Sequence, residues 1–308
     1  MIENIKENSL LTGLSRIKNR SIEVKVIHSA DEKLYYDQGW QLYKKLKSSI
    51  QIKRDKSHSV SLEDRVWSLF YKMQFSQLSA EGGAQLIINP KDHNSPKSQI
   101  DVVAIDREVA IAIECKSSFE YKKRIQFQEE LGKFSQIKDP FIKAIRNDFS
   151  GDGVKKQSVF IMFLSKAILN DNDKERAKQS NIILFDEVDL AYYENLVNHL
   201  GPAAKYQILS DMLPGKEIPG LSIKIPAIKS KMGGSNCYTF SISPEFLLKI
   251  AYVSHRSKGK ASDINTYQRM LTKSRLNKIR DYLNDDGMFP TNIVLNFEKS
   301  RLNFQRIK

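Results

Sequence analysis

Two short apolar segments in the middle of the sequence constrain the fold more than any other feature. They are QIDVVAI at residues 99–105 and VAIAIECKS at residues 109–117, and Asp106-Arg107-Glu108 separates them. Apolar runs of this length with a tight polar break between them predict an antiparallel β-hairpin. Because side chains alternate between the two faces of a strand, the hairpin also predicts which residues lie side by side.

The second predicted strand has two different faces. One is an apolar core face, formed by Val109, Ile111, Ile113 and Cys115. The other begins with two small residues and ends with an acid and a base, in the order Ala110, Ala112, Glu114 and Lys116. An even number of residues in the turn would place Asp101 directly across from Glu114, with the two Cβ atoms about 5 Å apart.

This placement predicts a metal site. Two carboxylates that close repel each other unless a cation lies between them or one of them is protonated. Mg²⁺ suits such a pair because it takes one or two carboxylates and leaves positions for water and a phosphate. Lys116, on the same face, could then position the attacking water and neutralise charge on the phosphate. A solvent-exposed Glu-x-Lys pair is the alternative, but Asp101 within the apolar run Ile100–Ile105 favours the site.

The same residues carry a resemblance to a known superfamily. Ile100-Asp101, a spacer of twelve residues and Glu114-Cys115-Lys116 resemble the motif of the PD-(D/E)xK nucleases, with isoleucine in place of the motif's proline. The resemblance implies a restriction-endonuclease-like α/β fold, a mixed sheet flanked by helices. It also implies Mg²⁺ or Mn²⁺ as cofactor, with Asp101 and Glu114 as metal ligands and Lys116 as a catalytic residue.

The superfamily also has an acidic residue on its first core helix. Ser61-Leu62-Glu63-Asp64 predicts a helix that begins with Ser61 as N-cap. Glu63 matches the superfamily's position and is the fourth candidate catalytic residue, although it fits equally well as an acid that stabilises the helix dipole. Asp64 is its rival, and it could instead complete a capping box with Ser61.

The remaining pattern predicts three regions: an N-terminal extension at 1–57, a nuclease-like domain at 58–213 and a smaller α+β domain from 214. The extension is predicted to contain a strand at 21–29 and a helix at 31–47. After the hairpin we expect a helical region over 120–148 interrupted near Pro140, strands at 159–164 and 182–185, and helices at 171–179, 188–200 and 202–213. The last region is predicted to contain a strand at 238–242, a helix after Pro244, a helix at 263–284 and a strand at 292–297.

Charge and cysteine content narrow the class of partner. The formal net charge of +13 favours a polyanion, and nucleic acid is the commonest one. Two cysteines do not make a disulfide framework, and the sequence has no apolar run long enough for a bilayer and no signal-peptide pattern at its start. We therefore expect a cytoplasmic, DNA-binding protein that does not engage a membrane. A homodimer is a further expectation.

A second resemblance extends into the last region. Glu63 to Trp67, Tyr267 to Leu271 and Gly287 to Val294 are similar to segments of DGQHR-domain proteins, a bacterial group related to DndB-type proteins linked to DNA modification. The name-giving Asp-Gly-Gln-His-Arg is missing, so the third region is expected to be the start of a DGQHR-like domain in an incomplete chain. The resemblance implies partners from a DNA-modification or defence system.

Three functional hypotheses follow. The first is an Mg²⁺-dependent DNA endonuclease that acts in defence or together with DNA modification. The second is a non-catalytic DNA-binding or regulatory protein that uses a nuclease-like scaffold, and the third is an interaction subunit of a modification complex. Lys122-Lys123-Arg124, expected at the start of the helix after the site, could hold a DNA backbone or simply form a solvated basic face.

Overall fold

The computed structural model describes residues 1–11, 13–19, 21–92, 94–107, 109–123, 127–151, 155–213, 224–244, 247, 273–285, 287 and 293–295. Backbone contacts divide the chain into two units, Met1–Ser222 and Ile223–Lys308. No helix of the described ranges is both long enough and apolar enough to cross a membrane.

The described strands are numbered in chain order. They are β1 (Ile2–Glu3), β2 (Ile5–Glu7), β3 (Ile22–Ile27), β4 (Gln41–Lys45), β5 (Ile50–Asp55), β6 (Gln77–Ser79), β7 (Ala84–Ile87), β8 (Lys97–Ile100), β9 (Val102–Ile105), β10 (Val109–Lys123), β11 (Gln157–Ile168), β12 (Ile183–Phe185), β13 (Ile228–Met232) and β14 (Ser235–Thr239).

The described α-helices are numbered in the same way. They are α1 (Gly13–Lys18), α2 (Glu32–Tyr36), α3 (His58–Lys72), α4 (Phe127–Gln136), α5 (Lys138–Asp148), α6 (Asp171–Gln179), α7 (Glu187–Leu200), α8 (Ala204–Met212) and α9 (Lys273–Asn284). Short 3₁₀ turns lie at Asn8–Leu10, Ser29–Asp31 and Gly201–Ala203.

A six-stranded mixed sheet forms the centre of the first unit, in the order β12-β11-β10-β9-β6-β2. Strands β10, β11 and β12 run parallel, whereas β9 is antiparallel to β10 and to β6. Two three-stranded sheets accompany it, β1-β7-β8 and β3-β5-β4. Helices flank the central sheet, so the predicted α/β class with a mixed sheet is confirmed.

The predicted hairpin is formed by β9 and β10. Ile105 pairs with Ala110 and Val102 pairs with Ile113, which is the register expected from an even turn. Asp101 lies one residue before this pairing begins and Glu114 lies one residue after it ends. The register is therefore confirmed up to the edge of the candidate site.

The predicted single strand at 99–105 is interrupted at Asp101, which is a correction. Residues Lys97–Ile100 pair with β7 in a separate sheet, and Val102–Ile105 pair with β10 and β6 in the central sheet. Asp101 is the bend at which the chain passes from one sheet to the other.

Both faces of β10 are buried by apolar side chains. On the face of Ala110 and Ala112, the small residues make room for Phe127, Phe134 and Phe141 of α4 and α5, all in one hydrophobic cluster. Helix α3 also packs against β10, with its apolar stripe buried at Leu62, Val66, Trp67, Leu69 and Phe70. Glu114, Cys115 and Lys116 therefore directly follow the part of β10 that is packed between helices.

The predicted helix over 31–47 is wrong beyond Tyr36. Gly39 takes a φ of +83°, which ends the helix, and Gln41–Lys45 pair with β5 instead. Leu34 and Leu42 are 61% and 39% exposed. Trp40 supplies the apolar contact, because it is buried among Ile27, Ile50 and Ile52.

Helix α3 begins one turn earlier than predicted. Ser57, and not Ser61, is the N-cap, and its hydroxyl accepts a hydrogen bond from the Val60 backbone N–H at 3.4 Å. The backbone N–H of Ser61 already donates to the Ser57 carbonyl at 2.9 Å. Two serines one turn apart offer the same local signal, and the upstream one extends the helix by a turn.

The predicted helical region over 120–148 also needs correction. Strand β10 continues to Lys123, and two helices follow that meet at Ile137, not at Pro140. Pro140 lies in the first turn of α5, where a missing N–H costs no helical hydrogen bond. Lys122 and Lys123 therefore end a strand, while Arg124 lies outside the described residues.

Most of the other predicted elements of the first unit are confirmed. Strands β3, β11 and β12 and helices α6, α7 and α8 match the expected segments to within a few residues. In the second unit, Ser235–Thr239 pairs with Ile228–Met232, so the strand lies earlier than the predicted 238–242. Helix α9 covers the described part of the predicted helix at 263–284. Residues 293–295 have no regular structure, and the rest of the predicted last strand and most of the predicted helix after Pro244 lie outside the described residues.

Candidate functional site

The two elements of the hairpin bring Asp101, Glu114 and Lys116 together at one end of the central sheet. Glu114 and Lys116 stand where β10 pairs in parallel with Met162 and Leu164 of β11. Asp101 occupies the bend that precedes β9. Strand alternation places Glu114 and Lys116 on the same face, as the sequence predicts.

Hydrogen bonds hold the three side chains in one arrangement. The Cys115 backbone N–H donates to Oδ2 of Asp101 at 2.7 Å, and Nζ of Lys116 donates to Oε2 of Glu114 at 2.9 Å. The carboxyl groups of Asp101 and Glu114 lie close enough for the negative charge of Asp101 to raise the pKa of Glu114. The Glu114 side chain is 13% exposed and that of Lys116 is 27% exposed, so the cluster is reached by solvent from one side.

Electrostatics in the cluster favour a proton on the carboxyl pair. Burial, followed by repulsion from Asp101, raises the pKa of Glu114 from 4.5 to about 7, although Lys116 acts in the opposite direction. Burial also raises the pKa of Asp101, against the Cys115 N–H and Lys116. The pKa of Lys116 is raised because attraction to Glu114 and Asp101 outweighs its own burial. Lys116 therefore stays charged.

Glu63 joins the cluster from helix α3. Burial raises its pKa from 4.5 to about 7, and the negative charges of Asp101 and Asp64 add to the shift, while Arg16 and Lys116 lower it. Because α3 begins one turn earlier than predicted, Glu63 lies in the second turn of the helix and not at its N-terminus. Stabilisation of the helix dipole is therefore a weaker explanation for Glu63 than the sequence suggested.

Asp64, the rival of Glu63, has a structural role. Its side chain is 3% exposed, and its carboxylate binds Nε of Arg16 at 2.6 Å and also Nζ of Lys56. Arg16 in turn lies over the ring of Trp67, 4.4 Å from its centroid. The proposed capping box with Ser61 is wrong, because Asp64 ties α1 and the end of β5 to α3 instead.

Cys115 lies between Glu114 and Lys116 but points to the other face. Its side chain is buried, and burial followed by the negative charge of Asp101 raises the pKa of the thiol well above its usual value. The thiol is therefore protonated at neutral pH and is a poor nucleophile. The contribution of Cys115 to the site is its backbone N–H.

Gly83 is a site residue that the sequence did not identify. It has a φ of +83°, and a Cβ at this position would lie 2.5 Å from the carbonyl oxygen of Ile100 and 3.2 Å from that of Asp101. Only glycine lets the two backbones approach this closely. The pair Gly82-Gly83 indicates a turn in the sequence, but its contact with the Asp101 bend is visible only in the fold.

Ser79 holds the other side of the bend. Its hydroxyl accepts a hydrogen bond from the Val103 backbone N–H at 3.1 Å, and its carbonyl accepts one from Nε1 of Trp67 at 2.8 Å. Helix α3, strand β6 and the start of β9 are thereby joined next to Asp101. Gln99, two residues before Asp101, donates to the carbonyl of Gly82 at 3.1 Å.

The donors present suit a hard divalent cation. Asp101 and Glu114 are two neighbouring carboxyl groups whose pKa values are raised chiefly by burial, and the charge of Asp101 also raises the pKa of Glu63. Within the described ranges, no group of three or more His, Cys, Asp or Glu side chains is arranged to hold a metal ion. Mg²⁺ fits because it is commonly held by one or two carboxylates with water in its other positions.

A separate cleft lies at the opposite end of the hairpin. Its volume is about 1100 Å³, and it is lined in part by Tyr71, Asp106, Arg107 and Lys156. None of the four candidate catalytic residues lines it. Of the predicted DNA-contact residues, the side chains of Lys122 and Lys123 and all of Arg124 lie outside the described part of the chain.

Comparison with known proteins gives limited similarity. No family model and no curated protein matches the chain. Among solved structures, protein VC1899 from Vibrio cholerae has a TM-score of 0.34 and 15% identity over 64% of this chain and 50% of that one. Can2 from Sulfobacillus thermosulfidooxidans, in complex with cyclic tetra-adenylate, has a TM-score of 0.31 and 16% identity over 60% of this chain and 49% of that one.

This chain therefore spans about half the length of each of these two proteins. Because both TM-scores and both identities are low, neither similarity bears on what the chain does.

Proposed function

We propose that the chain is a divalent-metal-dependent DNA endonuclease. The observation that carries this proposal is the adjacency of the Asp101 and Glu114 carboxyl groups beside the charged ammonium group of Lys116. The motif resemblance to the PD-(D/E)xK nucleases supports the same activity. The region 58–213 would form the nuclease-like domain.

In this proposal Asp101 and Glu114 bind Mg²⁺, with Mn²⁺ as a substitute. The ion would supply Lewis-acid stabilisation of the phosphodiester that is cleaved. The Cys115 N–H holds the Asp101 carboxylate in position, so that ligand needs little reorganisation. A cation held by this pair would favour the ionised form of both carboxyl groups.

Lys116 and Glu63 have different roles. Lys116 presents a fixed positive charge that positions the attacking water and stabilises negative charge developing on the phosphate. Glu63 would serve as an auxiliary ligand through water, and its pKa of about 7 would suit it to accept a proton.

DNA is the proposed substrate because the chain carries a formal net charge of +13. The basic segment Lys122-Lys123-Arg124 directly follows the site in sequence and is proposed to contact the DNA backbone. The resemblance of the last region to DGQHR-domain proteins supports a role in defence or in connection with DNA modification.

A non-catalytic DNA-binding protein is the second candidate. It is favoured by the ion pair between Lys116 and Glu114, which satisfies both groups without a metal, and by the lack of a three-ligand cluster among the described residues. In that case the same residues would stabilise a nuclease-like scaffold and cut nothing.

Nicking of supercoiled plasmid DNA with Mg²⁺ or Mn²⁺ tests the proposal. Wild type should cut, whereas Asp101→Asn and Lys116→Ala should lose at least about 100-fold of the rate, the loss typical when an electrostatic catalytic group is removed. Lys133→Ala is the matched control, because Lys133 is an exposed lysine that pairs with Glu129 in its own helix. Equal DNA binding by all variants, with no cutting by any, would establish the second candidate.

A further inference from the structure

Strand β10 changes character directly after the site. Up to Ser117 it pairs residue for residue with β11, but between Ser117 and Lys122 it advances five residues while β11 advances from Ser165 to Ala167. This irregularity is a bulge that carries three extra residues. Lys166, opposite the bulge, has a φ of +54°, and its Nζ donates to the Phe119 carbonyl at 3.0 Å.

The bulge presents two aromatic rings to solvent. Phe119 is 73% exposed and Tyr121 is 69% exposed. Both values are unusual for large aromatic side chains on a strand, which normally bury most of their area. The rings follow a segment of β10 whose residues 109–113 are completely or almost completely buried.

A third ring comes from the start of helix α3. His58 is exposed, and its ring makes an edge contact with Phe119, with centroids 5.2 Å apart. His58 and Phe119 therefore lie side by side at the surface. We call His58, Phe119 and Tyr121 the aromatic ledge.

The ledge adjoins the site along both of its elements. Phe119 follows Lys116 by three residues, so even a fully extended chain would separate them by at most about 10 Å. His58 precedes Glu63 by five residues on α3, about 7.5 Å along the helix axis. A strand of nucleic acid that reached Lys116 with a phosphate would have its neighbouring nucleotide within reach of the ledge.

We propose that the aromatic ledge stacks unpaired bases, so that the substrate strand is single-stranded or locally unpaired next to the site. The inference rests on the proposed nuclease function and specifies its substrate. Aromatic rings next to positive charge are the features by which proteins hold single strands without reading their sequence. Lys116 and Lys166 supply positive charge among the described residues, and Glu120, between the two aromatic residues of the bulge, is exposed.

Binding of a fluorescein-labelled dT20 oligonucleotide, measured by anisotropy in EDTA, tests the ledge. Phe119→Ala and Tyr121→Ala should each weaken binding about tenfold, within the range seen when a base-stacking ring is removed. Phe119→Trp should retain binding, and Phe119→Leu should lose it, because leucine keeps apolar bulk but has no π-face. Tyr43→Ala is the control, since Tyr43 is a 41% exposed aromatic residue on β4 of another sheet.

An abasic oligonucleotide of the same length separates stacking from charge. It should bind all variants with the same weak affinity, because it keeps the phosphates and lacks the bases. Wild-type affinity of Phe119→Ala and Tyr121→Ala for dT20, or a change in their oligomeric state with unchanged dT20 binding, would overturn the ledge and identify the patch as a protein contact.

The two proposals fail separately. If the ledge variants bind dT20 normally and plasmid nicking depends on Asp101, the base-stacking proposal is rejected and the nuclease proposal is retained. If the ledge variants lose dT20 affinity and the wild-type protein never cuts DNA, the ledge is a base-binding surface and the nuclease proposal is rejected.

Discussion

The backbone N–H of Cys115 donates to the carboxylate of Asp101 at 2.7 Å, so the strand that carries Glu114 and Lys116 also orients the third member of their cluster. One hydrogen bond thereby links a bend between two sheets to the central strand. The arrangement makes the site sensitive to the backbone on both sides of Asp101.

Asp101→Asn should lower the pKa of Glu114 towards its ordinary value. The substitution removes the negative charge that, after burial, contributes most to the raised pKa of Glu114, and asparagine can still accept from the Cys115 N–H. Carbon-detected NMR titration of the glutamate carboxyls measures this directly. Glu129→Gln, which changes an exposed carboxyl on α4, should leave the Glu114 titration as it is in wild type. An unchanged Glu114 pKa in Asp101→Asn would mean that the two carboxyls do not interact.

The metal-free protein should lose stability as the pH rises from about 4.5 to about 7. Glu63 and Glu114 have a folded-state pKa of about 7 against an ordinary value of 4.5, so the folded chain binds their protons more tightly. Their stabilising effect is therefore complete below pH 4.5 and is lost as the pH approaches 7. For Glu114 the loss should be of the order of 1 to 3 kcal/mol.

Urea unfolding at several pH values measures this effect. Glu114→Gln should flatten the profile and be more stable than wild type near pH 7, whereas Glu129→Gln should reproduce the wild-type slope. A wild-type free energy of unfolding that rises through this pH range would contradict the proposed protonation of the pair.

Mg²⁺ should restore the stability that the metal-free protein loses as the pH rises towards 7. A cation that binds only the folded carboxyl pair stabilises the folded state by mass action, and at 100 times its Kd the gain is about 2.7 kcal/mol. Thermal unfolding at pH 7.5 should therefore show a higher Tm with Mg²⁺ for wild type and no shift for a protein carrying both Asp101→Asn and Glu114→Gln. An equal shift in both proteins would place the bound ion elsewhere.

The hairpin could be predicted from the sequence because its determinants are local. The alternation of apolar residues and the parity of a short turn decide the register of β9 and β10, and the structure has that register. Helix α3 was placed one turn late because Ser57 and Ser61 carry the same capping signal. The partners of Asp64 could not be predicted, since Arg16 lies 48 residues away and Lys56 lies before the helix begins. The contact between Gly83 and the Asp101 bend could not be predicted either, because only the fold brings these two parts of the chain together.

Gly83→Ala should disturb the site more than Gly82→Ala. Both glycines have a φ near +80°, so alanine strains the backbone similarly at each, by about 1 to 3 kcal/mol. Only at position 83 would the new Cβ meet a carbonyl oxygen, that of Ile100 at 2.5 Å, whereas nothing lies within 4 Å at position 82.

The comparison between these two variants isolates the contact from the strain. Gly83→Ala should therefore be the less stable variant in urea unfolding, and its folded fraction should bind Mg²⁺ more weakly because the Asp101 bend has moved. Equal stability and equal Mg²⁺ affinity of the two variants would show that the bend tolerates the added methyl group.

Substitutions at Glu63 and Asp64 should separate catalysis from stability at adjacent positions. Asp64→Ala leaves Arg16 and Lys56 as buried charges without their carboxylate, which typically destabilises a protein by about 3 to 5 kcal/mol. Its remaining folded fraction should cut DNA at nearly the wild-type rate. Glu63→Gln should keep or increase stability near pH 7, because it removes a carboxyl whose charged form is disfavoured by burial, but it should lower the rate of cutting.

Urea unfolding and plasmid nicking, normalised to folded protein, distinguish the two effects. Loss of activity in folded Asp64→Ala with full activity in Glu63→Gln would reverse the assignment and make Asp64 the acid of the site. That outcome would require Arg16 and Lys56 to release Asp64 when DNA binds, since both of its carboxylate oxygens are engaged in the free protein.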